Sequence, residues 1–172
     1  MVGKVGICAL TGERGRLVRS HILPRALTRL TLTGEKAIES GLGIPSKRRP
    51  PTWYDDALVT RRGEDILEKI DAKAIAELRR RHLVWSGWGD SQTIPTDDAD
   101  WVDGKPFCRW VDIPQPEMLR VFFISLAWRA AASNRPECEW VQLAPEEIDD
   151  LRRRVVTGDP GDPADYPVQL FQ

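Results

Sequence analysis

The 172-residue chain is 41% hydrophobic and 30% charged, with a net charge of −1, the profile of a soluble globular protein rather than of a disordered chain. Its most apolar run, Val121 to Ala132, is broken by Arg129 and falls short of the roughly 20 residues that span a bilayer. A membrane partner is therefore excluded, and no apolar segment of signal-peptide length follows Lys4. Three widely spaced cysteines, Cys8, Cys108 and Cys138, do not make a disulfide framework and point to a reducing cytoplasm. The charge is split: residues 1–82 carry +7 and residues 83–172 carry −8. A basic face for a polyanion and an acidic face for another partner follow from that split, as does plain attraction between the halves.

Taken in order, Cys8 to His21 reads as a tight hairpin, with Gly12 and Gly15 supplying the positive φ of a turn. Pro24 ends the extended run just after His21, and Arg25 to Leu30 begins a short helix. Leu30 to Pro51, with Gly34, Gly41, Gly43 and Pro45, reads as a surface loop ending in the cations Lys47, Arg48 and Arg49. Trp53 to Thr60 reads as a turn into a short strand. From Glu64 the apolar spacing of Ile66, Leu67, Ile70, Ala74 and Leu78 is helical. Acids open this helix and Arg79, Arg80 and Arg81 close it, which the helix dipole explains without any ligand.

Ser86 to Lys105 reads as a long loop anchored by Trp85, Trp88 and Trp101, and marks the boundary between a basic and an acidic unit. Glu117 to Ser133 is apolar nearly all round, the pattern of a central helix, with Arg120 and Arg129 reaching an edge. Cys138 to Leu143 reads as extended. Pro145 opens a last helix and Gly158 stops it. The seven tryptophans are expected to supply large buried areas.

Hairpin, loop, short strand and helix, with His21 closing the hairpin in Ser20-His21-Ile22-Leu23-Pro24, resembles the HNH endonuclease family. The likeness is to a bacterial and phage branch written as CxxC, SHxxP, then a tyrosine-acid turn leading to LCxxCE, and it covers roughly residues 5–82. Cys8-Ala9-Leu10-Thr11 occupies the first cysteine pair, Tyr54-Asp55 the Asn-containing turn, and Thr60 to Gly63 the second pair, followed by the retained Glu64. The resemblance implies an α+β fold: a small ββα-metal-like core over residues 1–85, and an acidic, mainly helical part over 86–172 packed on it.

It also implies chemistry. His21 would act as general base on water attacking a phosphodiester. Glu64 and Asp55 would hold Mg²⁺ or another divalent cation through oxygen. Arg25, Arg61 and the Lys47–Arg49 loop would grip the nucleic-acid backbone. Tetrahedral zinc needs about four Cys or His ligands and only Cys8 remains, so no structural zinc is expected. The alternative is a non-enzymatic scaffold, an inhibitor or accessory factor that docks a protein through the acidic half. Taken one at a time, His21 also fits a packed hairpin histidine, Glu64 a dipole-matching residue and Asp55 a turn residue. A cysteine hydrolase has no local support.

Overall fold

The computed structural model describes residues 4–28, 38–41, 44–48, 52–84 and 99–170, with those at 38–41, 44–48 and 106–108 described by their backbone. Strand β1 (Val5–Ile7) and strand β2 (Arg14–His21) pair antiparallel, with Gly6 opposite Gly15. The turn takes its left-handed residue at Gly12, φ 73°. Gly15 needs no such freedom, because it lies inside β2. It is small for another reason: a Cβ there would stand 3.1 Å from Thr60 Cγ2.

Helix α1 (Arg25–Thr28) follows Pro24 as a single turn. The segment expected to be one loop contains two short strands, β3 (Ile38–Gly41) and β4 (Ile44–Arg48), paired antiparallel. Strand β5 (Tyr54–Thr60) then joins β2, giving the sheet order β1-β2-β5. Its register pairs Leu17 with Thr60, Val18 with Val59, Ser20 with Asp55 and His21 with Tyr54, with an irregularity between the second and third pairs.

Helix α2 (Arg61–Arg80) starts directly at the end of β5, earlier than the apolar spacing predicts. Its charge pattern is as read: Glu64 in the first turn, Arg79 and Arg80 in the last. A third hairpin, β6 (Ala99–Val102) and β7 (Lys105–Arg109), occupies the end of the expected long loop. Helices α3 (Pro116–Ala132) and α4 (Pro145–Thr157) complete the fold, each with proline in its first turn. Between them Pro136–Cys138 forms a 3-10 turn rather than leading into an extended piece. Gly158 takes the left-handed position that ends α4, φ 72°.

The core draws on both halves of the sequence. Cys8, Leu10, Leu58, Val59 and Leu67 pack with Ile124, Trp128, Leu151 and Val155. A second cluster joins Ala74, Ile75 and Leu78 of α2 to Leu119 and Phe122 of α3. Trp128 is the one tryptophan among the described residues that is fully buried; Trp101, Trp110 and Trp140 are exposed. Trp85 and Trp88 lie outside the described residues. No helix among the described residues is long and apolar enough to cross a membrane.

Carboxylate–arginine clasps brace two helices. At the end of α2, Glu77 accepts from Arg80 and from Arg81 Nε at 3.1 Å. In α4, Asp150 accepts from Arg154 Nε at 2.7 Å and from Arg153. The bond from Arg80 pulls the Glu77 carboxyl below its ordinary value against the upward push of burial, and Arg81 adds to it. Arg154 does the same for Asp150, again against burial and with help from Arg153. Both carboxyls bind protons more weakly folded than unfolded. Their contribution is thus present above the unfolded values of about 4.3 for Glu and 3.9 for Asp, and is lost as pH falls through the lower folded values. Thermal unfolding followed from pH 7 downward is expected to show a falling Tm below about pH 4.5. That acid slope should be shallower in Glu77→Gln; an identical slope would contradict the clasp.

Candidate functional site

Side chains alternate between the faces of a strand, and residues paired across strands share a face. Ser20 and its partner Asp55 therefore share a face, and the irregularity between Val18 and Ser20 interrupts the alternation before them. Both are buried, as is Val59 further along β5, which packs with Leu67 of α2 and Trp128 of α3. His21 and its partner Tyr54 turn to the opposite face. Arg19, itself exposed, lies 3.7 Å above the Tyr54 ring. The backbone of His21 is held from behind: its carbonyl accepts from Arg129 Nη1 at 3.2 Å.

Asp55 is committed elsewhere. One carboxylate oxygen accepts from the Ala57 amide at 2.7 Å, and the other from Ser133 Oγ at 2.7 Å. The first bond is the local turn that aspartate favours; the second ties β5 to the end of α3. Glu64, in the first turn of α2, has one buried carboxylate oxygen, Oε2, with no partner among the described residues. Glu64 and Asp71 share a helix face at a spacing of seven residues, which places them ~10 Å apart along the axis. It is Asp71, not Glu64, that reaches the His21 backbone, through Arg129.

His21 and Asp55 thus turn to opposite faces of the β2–β5 pair, and Asp55 has both oxygens engaged. No group of three or more His, Cys, Asp or Glu side chains converges as a metal set among the described residues. Asp55 could take a metal ion only by giving up one of its two bonds.

The four positions matched to the family's zinc cysteines, by contrast, do converge. The Thr11 amide donates to Cys8 Sγ at 3.4 Å. A Cβ on Gly63 would stand 2.8 Å from the same sulfur. Thr60 Oγ1 is buried beside it with no conventional partner. Burial pushes the Cys8 thiol up, but hydrogen bonding from Thr11 and Thr60 outweighs this and the net shift is downward. Hydroxyls, an amide and a bare helix backbone stand around one thiol, so the cluster is closed by packing.

Of the expected phosphate contacts, Arg25 is exposed at the start of α1. Arg61 is exposed but lies 3.8 Å from Asp65. Lys47 and Arg48 fall in β4, and Arg49 lies outside the described residues. Sequence reasoning missed the better pair. Arg14 and Arg16 stand on one face of β2, exposed, with no ion pair among the described residues. The register sets Ile7 opposite Arg14 and Val5 opposite Arg16, and both apolar residues are themselves exposed at 60% and 58%. The alternation in Arg14-Gly15-Arg16-Leu17 was the available signal, since a strand turns both arginines the same way. The chain matches no family model, no curated protein and no solved structure.

Proposed function

We propose that this chain binds nucleic acid through the cationic β1–β2 hairpin of an HNH-like ββα scaffold, without hydrolysis by His21 and Glu64. The observation that carries the reading is the Arg14–Arg16 pair, on one strand face and without an ion pair among the described residues. Exposed Lys4 lies at the start of the same hairpin, and Arg25 is exposed beyond its other end. Unpaired guanidiniums at this spacing suit successive phosphates, and the surplus charge of the N-terminal half would draw a polyanion in. Convergence of Cys8, Thr11, Thr60 and Gly63 supports descent of the scaffold from a zinc-bearing ββα core.

The test is fluorescence anisotropy on labelled single- and double-stranded DNA and RNA over a salt series. Wild-type binding is expected to weaken steeply with salt. Arg14→Glu combined with Arg16→Glu should lower affinity at least tenfold and reduce the log–log salt slope by about 2, one for each lost phosphate contact. Binding that is insensitive to salt, or unaltered in the double variant, would reject the hairpin as the interface. In parallel, plasmid and single-stranded DNA are incubated with Mg²⁺ or Mn²⁺, and no cleavage is expected. Cleavage that His21→Ala abolishes would restore the hydrolytic reading and overturn this one. Exposed Val5 and Ile7 favour a second reading, a scaffold for a protein partner, which gains if nucleic acid does not bind.

A further inference from the structure

A cavity of about 360 Å³ opens between α2, α3 and the end of α4, away from the β1–β2 hairpin. That volume is within the range of small-molecule sites. Its lining is chemically divided. Lys69 and Lys73 border it from α2, Met118 and Val121 give an apolar floor on α3, and Gln115 and Glu117 stand at the start of α3. The two lysines are exposed and neither forms an ion pair among the described residues. At an i, i+4 spacing they project from one helix face about 6 Å apart along the axis, close enough to grip one phosphate together. Buried Val121 and half-buried Met118 offer a surface for a flat ring, and a methionine sulfur makes favourable contacts with aromatics. Gln115 supplies both a donor and an acceptor, and Glu117 an acceptor for a ring amine.

We propose that this cavity binds a nucleoside monophosphate, with the phosphate on Lys69 and Lys73, the base over Met118 and Val121, and the base edge toward Gln115 and Glu117. A simple anion would use the lysines and leave the other three features without a role. A fatty acid would leave the amide and the carboxylate facing hydrocarbon. A free nucleotide and the phosphorylated end of a strand present the same groups, so either can be the source.

Isothermal titration of the full chain with AMP, GMP, CMP and UMP tests the site, with ribose 5-phosphate and inorganic phosphate as controls. At least one nucleotide should bind at submillimolar concentration and at least tenfold more tightly than ribose 5-phosphate. Lys69→Gln with Lys73→Gln should weaken it at least tenfold, both substitutions being on an exposed face that leaves the core untouched. Glu117→Gln should change the order of preference among the four bases. Arg14→Glu with Arg16→Glu should leave nucleotide binding unchanged, which separates this site from the hairpin. A 5′-phosphorylated hexanucleotide that displaces the mononucleotide, where its 5′-hydroxyl counterpart does not, identifies a strand end as the source; failure of both identifies the free nucleotide. No heat at millimolar nucleotide, equal binding of ribose 5-phosphate, or full affinity in the lysine double variant would each overturn the proposal.

Discussion

Asp71→Ala is expected to destabilise the fold by about 3–5 kcal/mol, the cost of leaving a buried charge without its partner. Arg129 comes from the middle of α3 and its side chain is 1% exposed, against 20% for Asp71. Its guanidinium donates to both Asp71 oxygens, at 3.0 and 2.5 Å, to Ser125 Oγ and to the carbonyl of His21. This one side chain thus joins α2, α3 and the end of β2. The asymmetry in burial decides which partner matters more. Without Asp71 the cation stays enclosed; without Arg129 the carboxylate turns partly to water. Arg129→Met should therefore cost less than Asp71→Ala, and Arg129→Met with Asp71→Ala less than the sum of the two single changes. Urea unfolding followed by tryptophan fluorescence measures all three. A loss below about 1 kcal/mol for Asp71→Ala would show that water reaches the guanidinium.

Arg129 also marks the limit of what the sequence discloses. In a helix apolar on every side, one arginine reads as a residue reaching for solvent, because the rule that buries charge requires a partner. The partner, Asp71, lies 58 residues away on the exposed-looking flank of another helix, and no local pattern joins them. Periodicity did disclose the β2 hairpin, the β5-to-α2 passage, α3 and α4, whose apolar spacing and terminal prolines act locally. It missed β3–β4 and β6–β7, short hairpins in polar, glycine-containing stretches where alternation is too brief to read. The separation of His21 from Asp55 was hidden for a related reason. Motif spacing places residues along the chain, while the face each occupies depends on register, and the β2–β5 register includes an irregularity. A shift of one residue exchanges the faces, and only the pairing settles it.

Gly63→Val is expected to cost about 3 kcal/mol, the upper part of the range for overfilling a packed core. Gly63 is buried in the first turn of α2, and a Cβ there would stand 2.8 Å from Cys8 Sγ and 2.9 Å from Val59 Cβ. The sulfur can turn aside, but the Val59 Cβ is fixed to the backbone of β5. Gly63→Ala should also destabilise: alanine gains about 1 kcal/mol in helix propensity, less than the strain of a contact shorter than real Cβ atoms make. Cys8→Ala in the Gly63→Ala background should recover only part of the loss, because the valine contact remains. Thermal melts of the three variants decide this, and an unchanged or higher Tm for Gly63→Ala would refute the close approach. The packing bears on the absent ligands as well. At the position matched to a zinc-binding cysteine, the α2 backbone lies so near Cys8 that any side chain would have to displace it. The first turn of α2 thus packs closely against Cys8 in the turn of the β1–β2 hairpin and against Val59 of β5, and it does so only because position 63 carries no side chain.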